Sequence, residues 1–195
     1  MNAPAGITAR ARLRAATADI HQALHDAAPF AAIANGSVTL EGYGRTLAFL
    51  HRYHGCMMPY CVRGALALGL PGLAAAQAAR LQALERDLAH LGVVPAVTMA
   101  EQPGDDGLCA GVLYTVMGSM LGGKVIFRQL DALLPDDEGR SFFRGGPDDS
   151  RNWQVLVAAL DGFTGDQALL EAGAMHAFVQ FEAMVPATGL EPVTP

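Results

Sequence analysis

Four glycines stand inside one apolar stretch: Gly111, Gly118, Gly122 and Gly123 interrupt GVLYTVMGSMLGGKVIFRQLDALL. A helix interior loses about 1 kcal/mol for each glycine that replaces alanine. Four of them lose about 3–4 kcal/mol, a large share of a domain's usual net stability. A chain that keeps them in a helix needs an offsetting gain. At about 100° per residue, Gly111, Gly118 and Gly122 project onto nearly the same face. Without Cβ atoms that face admits a flat group close to the backbone. It also lets the helix bend or unwind. Close packing of a second helix against the glycines is the other use, and at this point both stand.

The rest of the chain supplies helical partners. From about 8 to 26, Leu13, Ala16, Ile20 and Leu24 recur at spacings of three and four, which predicts one amphipathic helix. A second helix is expected from Thr39, with Glu41 in its first turn and a kink or restart at Pro59, to about Leu68. GLPG breaks it. A third is expected over about 73–91, capped by Gly92. VVPAVTMAEQPGDDG reads as a long polar connection. The glycine-bearing helix then covers about 107–134 and stops at Pro135. Loop 136–149 and helices at about 150–163 and 166–185 follow. No alternating β-branched run reads as a strand. The class is all-α, a multi-helical bundle of one domain over 7–185, between loose ends at 1–6 and 186–195.

Composition narrows the function. A formal charge of −6 argues against nucleic acid and against anionic membranes. No window reads as a membrane-spanning helix free of Gly, Pro or charge. Three cysteines without a C-x-x-C fit a reducing cytoplasm better than a disulfide framework. The N-terminal MNAPAGITARARLR lacks the apolar core of a secretory signal. There is no G-x-S-x-G, and Lys124 is followed by Val125 rather than Ser or Thr, so GSMLGGK is not a phosphate loop.

Two features of the first helix carry chemistry. His21, in LRAATADIHQALH, lies at the edge of the apolar stripe beside Thr17 and Leu24, where a neutral imidazole can ligate iron or bond a carbonyl in a half-buried site. Arg14 lies on nearly the same side, seven residues and about 10 Å earlier. That is the reach from an iron centre to carboxylates at a macrocycle's edge, which an arginine can pair. His25 follows His21 by four residues, a spacing that also suits zinc or nickel, although no companion ligand is near. The pair Glu-x-x-His needed for a di-iron bundle is absent.

LRAATADIHQALH resembles the first helix of the haem oxygenases, and YTVMGSMLGGKVI resembles their distal helix. The two motifs stand about 100 residues apart, as in that family, and the likeness runs over about residues 8–185. The closest flavour is the bacterial biliverdin-producing type that supplies bilin to bacteriophytochromes. The resemblance implies that His21 is the proximal iron ligand. It places Gly118, Gly122 and Gly123 over the haem face, Arg14 against a propionate, and Thr17, Tyr114, Phe178 and Phe181 along the pocket. It implies haem as both cofactor and substrate, with O2 as co-substrate. Electrons would come from an outside reductase or ferredoxin, since no flavin or nicotinamide fingerprint is present. The products would be biliverdin, CO and ferrous iron, and a bilin-accepting phytochrome would be a partner.

The chain departs from the family in three places. Ser119 stands where mammalian members carry a distal Asp; a serine holds a water but lacks a carboxylate's charge. The final helix has no Lys or Arg toward the propionates, leaving Lys124, Arg128 or Arg151 as substitutes. His25 occupies a position that is often acidic. A haem carrier or sensor that leaves the ring intact is therefore the alternative function. The same architecture also serves proteins without haem.

Overall fold

The computed structural model describes residues 7–25, 28–95 and 102–187. The expected loose ends 1–6 and, from 188 on, 186–195 lie outside the described residues, as do 96–101 of the polar connection. The chain forms α1 (Ala9–Ala16), α2 (Ala18–His25), α3 (Ala28–Ala34), α4 (Leu40–Ala67), α5 (Pro71–His90) and α6 (Asp106–Gly118). A 3-10 turn, η1 (Ser119–Gly122), leads into α7 (Gly123–Gln129), followed by α8 (Ser141–Arg144), α9 (Asp149–Asp161) and α10 (Gln167–Ala187). No strand occurs among the described residues.

Helix α6 packs along both α4 and α10, and glycines set how closely. A Cβ on Gly111 would collide with the carbonyl oxygen of Leu170, one on Gly173 with that of Leu108, and one on Gly64 with that of Cys109. Backbone rests on backbone at all three places, so the lost helix propensity is offset by close contact over a long interface. The first buried cluster grows from this seam and includes Leu13, Met57, Leu113, Leu156 and Leu170. A second, with Tyr43, Phe49, Leu84, Leu130 and Phe143, fills the space between α4, α5 and α8.

Local signals act where the sequence puts them. The Thr39 hydroxyl accepts from the Gly42 amide at 3.1 Å and starts α4, as an N-cap does. Gly92 takes φ +66° just past α5. Pro59, in contrast, sits inside an unbroken α4; the expected restart does not occur. Asp87 is buried and accepts from the Ser141 amide (2.9 Å), the Ser141 hydroxyl (2.7 Å) and the Phe142 amide (2.8 Å). It thereby fixes the short α8 against α5.

Several boundaries differ from expectation. The first helix is two: Thr17 closes α1 with φ −106° and ψ 3°, and its hydroxyl donates back to the Leu13 carbonyl at 2.8 Å. Helix α3, which follows, and α8, inside the expected loop 136–149, were not foreseen. The glycine-bearing helix is three pieces and ends at Gln129, before Pro135, with turns over 130–133. Between Asp106 and Gln129 it has the length and apolarity of a membrane span. Its packing on α4 and α10 and its break at η1 mark it as a core helix.

Candidate functional site

The break in the glycine helix divides its four glycines. Gly111 belongs to the α6–α10 seam, so its place on the common face serves helix packing, not a ligand. A Cβ on Gly118 would touch the Trp153 ring at 3.5 Å, an ordinary contact. One on Gly122 would meet nothing within 4 Å. Gly123 faces the other way and is buried, its Cβ direction 3.0 Å from the Phe143 carbonyl oxygen. The open stretch is therefore Gly118–Gly122, on the side away from α8. Ser119 and Gly122 are exposed there, in the middle of an otherwise apolar segment. The Ser119 hydroxyl donates to the Val116 carbonyl at 2.8 Å, so toward a water it acts as an acceptor.

Helix α2 carries the other candidate residue, His21. From Ala18 to Leu24 none of its residues is buried. It packs on α1 and α10, with no packed interface to α6. His21 is exposed, and its ring meets Phe178 of α10 edge-on, centroids 5.9 Å apart. The side chain of His25 lies outside the described residues. Phe178 thus belongs with His21, whereas Phe181 packs into the core against Phe49 (4.7 Å) and Tyr53 (5.0 Å). Thr17 is buried with its hydroxyl bonded to Leu13, and serves as the joint between α1 and α2.

Tyr114 lies half-buried on α6, 5.4 Å from Trp153 between ring centroids. Burial raises its phenol pKa, and the nearby charges of Arg10 and Arg14 oppose that rise. The cations of α1 thus lie close enough for their charge to reach Tyr114. Arg14 and Arg10 are both exposed, as are Lys124, Arg128 and Arg151. Arg12, between them, points elsewhere: it bonds Gln167 and lies 3.7 Å from Glu171, pinning α1 to α10. Sequence reasoning missed Trp153 and Arg10. Trp153 is the chain's one tryptophan, a rarity that marks it for attention, but its place beside Gly118 comes from a contact across 35 residues. Arg10 sits one turn before Arg14 on the same helix, and that spacing was the available signal.

The donor set suits a macrocycle better than a bare ion. No group of three or more His, Cys, Asp or Glu side chains gathers as a metal site among the described residues. A single imidazole is what a haem iron, held by its own four nitrogens, takes from a protein on its proximal side. The Cβ-free, exposed Gly122 stretch leaves room for a flat ring, and Arg10, Arg14 and Tyr114 suit carboxylates at its edge. Two of the other histidines are engaged elsewhere. His54 is buried, and desolvation lowers its imidazole to about 3. His51 is 3.7 Å from Glu85 on the far side of α4.

No family model and no curated protein matches the chain. Solved structures do. The NO- and CO-bound haem oxygenase of Neisseria meningitidis superposes with a TM-score of 0.78 at 23% identity, covering 97% of this chain and 96% of that one. The haem oxygenase of Leptospira interrogans gives 0.71 at 19% identity, with 91% and 98% covered. The haem complex of haem oxygenase-1 from the cyanobacterium Synechocystis gives 0.70 at 18% identity, with 93% and 92% covered. This chain has the haem oxygenase fold.

Proposed function

We propose that the chain is a haem oxygenase. The observation that carries this reading is the pairing of an exposed imidazole on α2 with a broken, Cβ-free stretch of α6–α7, in a chain of the same fold as three haem oxygenases. When bound, haem supplies both the iron that activates O2 and the ring that is opened, giving biliverdin, CO and ferrous iron. Electrons come from an external reductase or ferredoxin. The bilin would pass to an acceptor such as a phytochrome.

The protein's part is to bind, orient and hold protons. His21 would hold the iron through one ring nitrogen, with Phe178 edge-on to the imidazole to limit its rotation. Arg10 and Arg14 pair the propionates beside Tyr114, a charge-assisted contact that takes over from the basic residues absent in α10. Gly118 and Gly122 keep the distal face shallow, and Trp153 closes it behind Gly118. Ser119, whose hydroxyl donates to the Val116 carbonyl, would accept a hydrogen bond from a water beside the ring and leave that water's second hydrogen free to donate. The chain is proposed to work in the cytoplasm.

Hemin with ascorbate in air tests this directly. Loss of the Soret band with growth of a broad red bilin band is expected, and His21→Ala should lose at least about tenfold in hemin affinity, or about 1.4 kcal/mol. A native protein that gives no Soret shift would end the proposal. A Soret band that survives reductant would favour the haem carrier or sensor, a reading motivated by the absence of a distal carboxylate at Ser119.

A further inference from the structure

Behind η1 the protein does something costly. The front of the turn is open at Ser119 and Gly122; the back is carried by Met120, 8% exposed, and by Gly123 against the Phe143 carbonyl. Under Met120 lies Gln77 of α5, only 2% exposed. Its Nε2 donates to the Met120 sulfur at 3.8 Å, and its Oε1 has no hydrogen-bond partner among the described residues. A thioether is a weak acceptor, and a buried amide left half-satisfied is less stable than a leucine of similar size. One turn on, Arg80 places its guanidinium 4.4 Å over the Phe142 ring and 4.0 Å from Asp149, with Nε also unpartnered. Helix α5 otherwise packs on α4 and α8. Gln77 is its polar reach to the glycine helix, and it ends on the residue at the centre of the break.

We infer that Gln77 is a positioning residue: through Met120 it fixes the height and register of the Ser119–Gly122 turn. The purpose of that turn rests on the haem reading above, but the mechanical link does not. An amide directed at one sulfur selects one rotamer of Met120, an otherwise adaptable side chain. With Met120 fixed, the preceding and following residues cannot rise or slide along the front of the site. An apolar residue at 77 would fill the same space without choosing among the turns that four flexible residues permit.

The test uses Gln77→Leu, Met120→Leu and the double variant, with amide hydrogen exchange on the full chain without haem. The inference expects Ser119–Gly122 to exchange about fivefold faster in Gln77→Leu, with α4 and α10 amides unchanged. It expects the emission of Trp153, which lines the same small cavity as Met120, to shift. Met120→Leu should give the same result, and the double variant no more than either single one. Unchanged exchange at the turn, uniform acceleration across all helices, or additive effects of the two substitutions would each overturn it. Should Gln77→Leu fail to fold, Met120→Leu alone decides by the same readouts. Hemin titration of the native protein is run beside it: no binding there defeats the haem reading and leaves the exchange result standing.

Discussion

Gly111 and Gly122 are eleven residues apart, on nearly the same helical face, and serve opposite ends. At Gly111 the missing Cβ is filled by the backbone of α10. At Gly122 it faces empty space, and the helix there has tightened into a 3-10 turn. The first glycine is part of what makes the molecule rigid. The second is a place the fold leaves unfilled. The same residue type at the same helical phase thus reports nothing by itself; what lies opposite decides whether the glycine is structural or a candidate for ligand contact.

Substitution at Gly111 is the harshest way to break that contrast. Gly111→Ala puts a methyl group into the Leu170 carbonyl, and α6 or α10 must move. A loss of about 3 kcal/mol is expected, at the upper end for overpacking, read as a lower urea midpoint with no haem present. If Gly111→Ala melts like the native protein, the seam is not as close as described.

A smaller effect tests the sealed half through pH. His54 is neutral in the folded state because burial lowers its pKa from 6.5 to about 3. In the unfolded chain it gains a proton below its ordinary pKa, so protons favour unfolding. Its contribution is intact above pH 6.5 and is lost progressively as pH falls toward 3. By about pH 5 the loss is about 2 kcal/mol. Chemical denaturation at pH 7 and pH 5 should show that decline, and His54→Phe, which cannot protonate, should lose it. An equal decline in both proteins would mean that His54 is solvated.

Much of the scaffold was legible because it depends on local chemistry. Thr39 caps α4 and Gly92 follows α5, each near its expected place. The apolar period marked the long helices. What was not legible depends on contacts across the chain or on competition within one turn. Thr17 marks the joint in the first helix: its hydroxyl joins its own amide on the Leu13 carbonyl, and its backbone turns to φ −106° and ψ 3°. Pro59 fails to interrupt α4, whose flanks are held on both sides by α5 and α6. Of the candidate site residues, His21, Tyr114, Gly118 and Gly122 were readable as motif positions. The separation of Phe178 from Phe181 was not, since both are phenylalanines one turn apart, about 60° in phase, on one apolar helix. Nor was the meeting of Trp153 with Gly118, which only the docking of α9 brings about.

The most direct measurement is a hemin titration of Gly122→Leu beside the native protein, followed by the Soret band and by quenching of Trp153. Because a Cβ at Gly122 meets nothing within 4 Å, the variant without haem should match the native melting behaviour to within about 1 kcal/mol. The account predicts that this intact protein binds hemin at least about tenfold more weakly, the leucine occupying the space reserved for the ring. A Gly122→Leu protein that binds hemin with the native Soret band and native affinity would contradict it, and the open half of the helix would have to face something else.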